Sequence, residues 1–148
     1  MADKPLHLLV VRAPFYQDII DELTRGAVHE IRLAGATHDV LDVPGAFEIP
    51  AVIAMAAVSG QAAYDGYVAL GCVIRGETSH YDYVCGESAR GLQELAFRDK
   101  LAIGFGILTV DNRDQAWARA SVDRKNKGAE VARAALRMIE VRRSFGLA

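Results

Sequence analysis

The sequence predicts a single α/β domain, a three-layer α/β/α sandwich around a four-stranded parallel sheet. Short apolar runs alternate with longer segments whose apolar residues recur at helical spacing. The connecting segments are long enough to be crossover helices, which join parallel strands. The chain has 148 residues, 51% of them hydrophobic, and no repeat or linker-like stretch divides it. Residues 1–148 are therefore expected to form one domain.

Four segments have the composition of strands. In chain order they are residues 6–11, 39–43, 67–74 and 101–110. The first and third are almost continuously apolar, which is typical of strands covered on both faces. Gly104 and Gly106 lie inside the fourth strand and indicate close approach of another backbone or a ligand. Phe105, between them, is by default a core residue.

Five segments have helical periodicity. In chain order they are residues 16–34, 49–58, 81–97, 113–120 and 127–143. Gly35 is placed to cap the first helix, and Gly60 to end the second. Pro50 is tolerated because it falls in the first turn of the second helix. Residues 144–148 are expected to fray.

Composition and charge exclude several functional classes. The formal net charge is −2 and no basic stripe appears, which argues against a nucleic-acid partner. No apolar stretch approaches the about 20 residues of a membrane span, and residues 1–5 lack the apolar core of a signal peptide. Cys72 and Cys85 lack metal-like or CxxC spacing and are interpreted as buried thiols in a reducing compartment. A cytoplasmic protein without a membrane partner is predicted.

The candidate chemistry lies in the strand-to-helix connections. Ligands of open parallel sheets bind outside the carboxyl ends of the strands. Four connections share that edge, at residues 12–15, 44–48, 75–80 and 111–112. They bring together an aromatic ring, a carboxylate, an imidazole and hydroxyl groups. By itself this collection supports only a small-molecule site of unspecified kind.

The third connection is the most informative. Gly76 permits a tight turn there, and Thr78 and Ser79 precede a helix that begins near His80. Free N–H groups at a helix start suit a phosphate, although Thr78 or Ser79 could simply cap the helix. His80 could transfer protons near neutral pH, although a histidine in a first turn is more often a surface residue. No nucleotide-binding glycine motif is present.

Four longer motifs resemble the 6,7-dimethyl-8-ribityllumazine synthase family. They are VPGAFEIP (residues 43–50), GCVIRGETSHYDYV (71–84), FGILT (105–109) and NKG (126–128), in the family's order and spacing. The resemblance runs from about Leu6 to Arg143 and implies a flavodoxin-like fold of the lumazine synthase type. The implied activity is a transferase that condenses 5-amino-6-(D-ribitylamino)uracil with 3,4-dihydroxy-2-butanone 4-phosphate. Phosphate and water leave, no metal or organic cofactor takes part, and the reaction is the penultimate step of riboflavin biosynthesis.

The resemblance also implies roles for individual residues. Phe15 would stack on the pyrimidine ring, and His80 would shuttle protons during imine formation and phosphate elimination. The other pyrimidine and ribityl contacts would be Ala46, Phe47, Glu48, Val73, Ile74, Phe105 and Lys127. The phosphate would be held by Gly76, Glu77, Thr78 and Arg119. Taken alone, Arg119 and Lys127 would be interpreted as solvated cations, but the family's pocket spans two subunits. Phe105, Arg119 and Lys127 are expected from the adjacent chain of a homo-oligomer.

Three departures from the family pattern carry further expectations. Pro14 and Tyr16 flank Phe15 where the family commonly has Arg and Asn. Glu77 places a carboxylate beside the expected phosphate, so its side chain should point away while its N–H is used. Residues 120–128 lack the GTKAGN pattern of capsid-forming relatives, which favours a free pentamer over a sixty-subunit shell.

Two other classes of function stay open from the sequence. A flavin or lumazine carrier would keep the pocket without the chemistry, but such a protein would be expected to lose His80 or Arg119, and both are present. A structural shell protein would function through its assembly, which is compatible with catalysis.

Overall fold

The computed structural model describes residues 4–61 and 63–147. Its strands are β1 (His7–Arg12), β2 (Thr37–Asp42), β3 (Gly66–Ile74) and β4 (Ile103–Val110). Its helices are α1 (Gln17–Leu33), α2 (Ile49–Val58), α3 (His80–Arg98), α4 (Arg113–Ala120) and α5 (Lys127–Ser144). Every predicted strand and helix is present in the predicted order. A 3₁₀ turn at Ala46–Glu48, which was not predicted, precedes α2.

The four strands form one parallel sheet in the order β2-β1-β3-β4. This order is that of flavodoxin-like folds. Helices α1, α4 and α5 bury their apolar sides on one face of the sheet, and α2 and α3 on the other. The predicted three-layer sandwich is confirmed. No helix within the described residues is long and apolar enough to cross a membrane.

Strand β1 shows why an uninterrupted apolar run is required. Leu8 and Val10 point into the core under α1, whereas Leu9 and Val11 point into the core under α2. All four side chains are at most 2% exposed. Because each such side chain contributes about 1.5–3 kcal/mol when fully buried, a polar residue at any of these positions would be costly.

Three glycines allow backbones to come into direct contact. A Cβ at Gly104 would lie 2.3 Å from the carbonyl oxygen of Val131, and one at Gly106 would lie 2.7 Å from that of Ala69. The prediction of close approach within the fourth strand is therefore confirmed. A Cβ at Gly128 would lie 2.0 Å from the carbonyl oxygen of Leu23. Helix α5 consequently packs directly on both β4 and α1, which fixes where Lys127, its first residue, is placed.

Several local predictions were wrong. The second strand begins at Thr37 rather than at residue 39, because Thr37 already pairs with His7 of β1. Phe105 is not a core residue but is 45% exposed. Residues 144–147 do not fray as expected, since the N–H groups of Phe145, Gly146 and Leu147 donate to carbonyls of the last turn of α5; residue 148, the last of the predicted frayed segment, lies outside the described residues. Gly146 has a φ of +79°, as in helix C-caps.

Gly35 is confirmed as the cap of α1, with a φ of +72°. Pro50 lies in the first turn of α2 as predicted, and that helix ends at Val58, just before Gly60. Cys72 is buried, whereas Cys85 is only half-buried. Burial raises the pKa of the Cys72 thiol to about 11, so this thiol stays protonated at neutral pH.

We expect Gly128→Ala to lower the free energy of unfolding by about 1–3 kcal/mol or more, because the added methyl group would force α5 away from α1. Gly60→Ala is the matched control, since a Cβ at Gly60 meets nothing within 4 Å. Urea denaturation at equal protein concentration measures both effects. Equal midpoints for the two variants would contradict the proposed packing.

A polar cluster ties the amino end of the sheet together. The Tyr64 hydroxyl donates to Asp39 Oδ2 at 2.7 Å, and His7 Nε2 lies 3.1 Å from the same oxygen. The hydrogen bond from Tyr64, followed by that from His7, lowers the pKa of Asp39 below its usual value. The same Asp39 contact raises the pKa of Tyr64 to about 12.

Because the folded-state pKa of Asp39 is lowered, its carboxylate stabilises the protein above the unfolded-state pKa of about 4. This contribution is lost as the pH falls through the lower, folded-state value. We therefore expect Asp39→Asn to lower the thermal midpoint at pH 6, and the difference from wild type to disappear progressively below about pH 4. Asp123→Asn, whose exposed carboxylate has no side-chain partner in the described residues, is the control. A difference independent of pH would contradict this assignment.

Candidate functional site

A cavity of about 450 Å³ opens at the carboxyl edge of the sheet, between the 3₁₀ turn and α3. Its lining residues are Pro44, Gly45, Ala46, Phe47, Glu48, His80, Tyr83 and Val84. The structure thus brings together four of the predicted site residues, three from the turn and His80 from the helix. Tyr83 was missed by the sequence analysis. Its position three residues after His80, on the same face of a helix, was the available signal.

The 3₁₀ turn orients its three side chains differently. The Glu48 N–H donates to the Gly45 carbonyl at 3.1 Å, which closes the turn. Ala46 is buried against β3, where a Cβ on Gly71 would lie 3.5 Å from the Ala46 Cβ. Phe47 and Glu48 are exposed at the cavity. Ala46 therefore anchors the turn, and its two neighbours are free to contact a ligand.

The loop from Gly76 to Ser79 offers unpaired donors. None of its four backbone N–H groups donates a hydrogen bond to a described residue. Thr78 Oγ1 accepts from the His80 N–H at 3.3 Å, so Thr78 caps α3, while the Ser79 side chain makes no capping bond. The loop leads into the positive end of a 19-residue helix. Exposed donors in this position can hold an anion.

The backbone conformation at Gly76 does not require a glycine. It has no positive φ, and a Cβ there would meet nothing within 4 Å. Any residue could therefore adopt this backbone, and the space beside Gly76 is open. Glu77 is exposed and makes no hydrogen bond or ion pair with a described residue.

The loop after β1 presents Phe15, which is 76% exposed. Its ring meets that of Tyr16 edge-on, with 5.0 Å between centroids and 76° between planes. Below the loop, Arg12 Nε donates to Asp42 Oδ1 at 2.7 Å and Arg12 Nη1 donates to Asp21 Oδ1 at 3.2 Å. The hydrogen bond to Asp42 raises the pKa of Arg12, which remains charged. This pairing holds the end of β1, from which the loop begins.

The predicted roles of Val73 and Ile74 are only partly compatible with the structure. Neither lines the cavity, and their side chains pack into opposite core layers. Pairing of β3 with β1 ends at Leu70, but pairing with β4 continues to Ile74.

The backbone direction at the end of β3 decides which residues could contact a ligand. The Ala13 N–H donates to Leu70 O at 2.9 Å, and the Arg75 N–H donates to Val110 O at 2.9 Å. Since backbone polar groups of successive strand residues point to alternate edges, those of Cys72 and Ile74 face the loop that carries Phe15. Those of Val73 face β4. Backbone readout is therefore available from Ile74 and from Cys72, which was not predicted, but not from Val73.

The remaining predicted residues lie on a second surface. A groove of about 240 Å³ along β4 is lined by Phe105, Gly106, Ile107, Leu108, Thr109, Val110, Arg119 and Lys127. Arg119 Nη1 donates to the Gln115 carbonyl at 3.0 Å, and Lys127 Nζ donates to Glu130 at 2.9 Å. The groove and the cavity share no lining residue. One chain therefore carries the predicted residues on two separate surfaces.

Within the described part of the chain, no group of three His, Cys, Asp or Glu side chains could hold a metal ion. The chemistry available at the two surfaces is that of an imidazole, carboxylates, cations, aromatic rings and free backbone donors.

Comparison with known proteins identifies the family. The family model for 6,7-dimethyl-8-ribityllumazine synthase matches residues 5–143. The 6,7-dimethyl-8-ribityllumazine synthase 1 of Rhizobium meliloti (strain 1021) is 56% identical, over 97% of this chain and 95% of the relative. The corresponding synthase of Agrobacterium fabrum is 55% identical, over 95% of this chain and 97% of the relative. The 6,7-dimethyl-8-ribityllumazine synthase of Bartonella henselae is 54% identical, over 97% of this chain and 92% of the relative. This chain therefore belongs to the 6,7-dimethyl-8-ribityllumazine synthase family.

Proposed function

We propose that this chain catalyses the penultimate step of riboflavin biosynthesis. It condenses 5-amino-6-(D-ribitylamino)uracil with 3,4-dihydroxy-2-butanone 4-phosphate to form 6,7-dimethyl-8-ribityllumazine, one phosphate and two molecules of water. Besides the family membership, one observation carries the proposal: a cavity that contains His80 and Glu48 begins beside a loop with four unpaired N–H donors. As the family resemblance implies, we expect no cofactor to take part.

The two substrates fit different parts of this edge. The exposed Phe15 ring can stack on the pyrimidine, and the free backbone groups of Cys72 and Ile74 can pair with the pyrimidine's polar edge. Glu48 can accept hydrogen bonds from ribityl hydroxyls. The phosphate fits the N–H groups of Gly76, Glu77 and Thr78. The Glu77 carboxylate then has to point away from the bound phosphate.

His80 is positioned for the proton transfers. Imine formation removes two protons from the substrate amine and releases the carbonyl oxygen as water. Elimination of phosphate removes a further proton, from carbon, as the bond from carbon to the phosphate oxygen breaks, and the resulting enol becomes a ketone. Ring closure then joins the ribitylamino nitrogen to that carbonyl carbon and releases its oxygen as a second water. An imidazole can accept and donate protons near neutral pH, and His80 lines the cavity one residue beyond the phosphate loop. The same group can therefore serve each of these steps.

The second surface supports a site shared between subunits. In this proposal the groove along β4 of an adjacent copy closes the cavity, bringing Phe105, Arg119 and Lys127 to the substrates. The Arg119 guanidinium suits the phosphate because it can donate two parallel hydrogen bonds. The protein then works as a cytoplasmic homo-oligomer. The sequence of residues 120–128 favours a free pentamer, which a mass measurement in solution would distinguish from a sixty-subunit shell.

We expect His80→Ala to lower kcat by about 10²–10⁴-fold, since general acid–base catalysis contributes about that factor. Formation of the fluorescent lumazine measures the rate. His29→Ala is the control, because His29 is an exposed histidine on α1, away from both surfaces. A wild-type rate for His80→Ala would contradict the catalytic role. Riboflavin binding by a wild-type chain that forms no product would favour the carrier instead.

A mixing experiment tests the shared site. Arg119→Met should mainly raise KM for the phosphate substrate, and His80→Ala should lower kcat. Co-expressed in equal amounts, the two variants should regain about one quarter of wild-type activity. In a closed ring with random order, half of the subunits carry an unmodified His80 cavity and the other half an unmodified Arg119 groove. About one quarter of the interfaces therefore join an unmodified cavity to an unmodified groove. Co-expression of His80→Ala with Phe15→Ala, altered on the same surface, should give no recovery. Absence of recovery in the first mixture would place the whole site within one chain.

A further inference from the structure

We propose that Arg75 is a positioning residue, which holds the phosphate loop and His80 in place by clamping the start of α3 against the ends of β3 and β4. This inference rests on the proposed function. Arg75 is the first residue after β3, and its N–H donates to the carbonyl of Val110 at 2.9 Å. Its backbone is therefore fixed by β4, and its side chain begins from a rigid point.

The Arg75 side chain contacts two other elements. Arg75 Nε donates to Asp111 Oδ1 at 3.0 Å, directly after the end of β4. The guanidinium carbon lies 4.3 Å from the centroid of the Tyr81 ring, in the first turn of α3. A planar guanidinium can stack on a ring and donate from its edge at the same time, which an ammonium group cannot do. Asp82 adds a longer ion pair, at 3.8 Å from Nη1.

Tyr81 is half-buried, and burial raises the pKa of its hydroxyl. Through its contact with the Arg75 guanidinium, Tyr81 joins the first turn of α3 to Arg75 and Asp111 at the ends of β3 and β4. His80 is the residue immediately before Tyr81. A fixed Tyr81 consequently fixes the backbone from which the His80 side chain projects.

The phosphate loop has few restraints of its own. Between Arg75 and His80, the single described side-chain hydrogen bond is internal, from the His80 N–H to Thr78 Oγ1. The loop position thus depends on its two ends, which are the residues that Arg75 brings together. The Phe15 loop, in contrast, begins at the end of β1, which Arg12 holds. Loss of the Arg75 clamp should disturb phosphate binding and leave pyrimidine binding intact.

The test compares Arg75→Met with Tyr81→Leu, which removes the stacked ring but keeps every charge. Titration calorimetry measures the dissociation constant of inorganic phosphate, and steady-state kinetics measure KM for each substrate. We expect both variants to weaken phosphate binding and raise KM for the butanone phosphate by about tenfold, since a misplacement of about 1 Å can cost up to about 10²-fold. KM for the pyrimidine should stay within about twofold of wild type. Arg137→Met, which removes an exposed arginine paired with Glu140 on α5, should change none of these constants.

Three outcomes would overturn the inference. Weakened phosphate binding in Arg75→Met but not in Tyr81→Leu would make Arg75 a direct ligand. Unchanged constants in both variants would remove any role. If Arg75→Met and Tyr81→Leu raise KM for both substrates equally and have lower thermal midpoints than Arg137→Met, Arg75 has a general structural role. If Arg75→Met does not fold, Arg75→Lys keeps the charge without the planar stack. It should show the same selective loss of phosphate binding, by about threefold.

Phosphate titration separates this inference from the proposed function, because it requires no turnover. The function alone would be overturned if the wild-type protein binds phosphate but forms no lumazine, while Arg75→Met and Tyr81→Leu weaken phosphate binding as described. The inference alone would be overturned if the wild-type protein forms lumazine and both variants bind phosphate as tightly as wild type.

Discussion

The site depends on the unequal extension of neighbouring strands at one edge of the sheet. Strand β3 pairs with β1 only as far as Leu70 but continues beside β4 to Ile74. The stagger leaves backbone groups of β3 without a neighbour, next to the loops that carry Phe15 and the 3₁₀ turn. A sheet with strands of equal length would pair these groups internally and close the space. In the proposed function, these unpaired backbone groups are where the pyrimidine is recognised.

The unequal extension of the strands could not be predicted from the sequence, although the strands and helices themselves could. Apolar runs and helical periodicity identified every strand and helix, because burial on both sheet faces imposes those patterns. Gly104 and Gly106 indicated backbone contact, which α5 supplies at Gly104 and β3 at Gly106. Phe105 was wrongly predicted to be a core residue, because its exposure depends on more than its local sequence. Its neighbours along the chain are those of a core strand, but the exposure of an edge strand is decided by elements distant in sequence.

The candidate site residues also fall into those that the sequence could predict and those that it could not. His80, Glu48 and their neighbours belong to connections that parallel topology brings to one edge, so their proximity follows from strand direction alone. Assigning Arg119 and Lys127 to the proposed site required the family resemblance, because the sequence around an isolated cation does not show where its side chain points. Arg75 gave no signal either. Its clamp depends on the distance between the ends of β3 and β4 and the first turn of α3, and only coordinates supply that distance.

The charges around the loop from Gly76 to Ser79 give the proposed sharing of the phosphate site a physical reason. The loop offers neutral N–H donors, while Glu77 and Asp82 bring negative charge to the same region. The nearby cation, Arg75, is already paired with Asp111. Arg119 and Lys127 are on the other surface of the chain. Under the proposed sharing of the site, a phosphate at this loop gains a strong opposite charge only when a second copy presents its groove along β4. In the proposed assembly, subunit contact and phosphate affinity are consequently linked: the cation that completes the anion site arrives with the neighbouring chain.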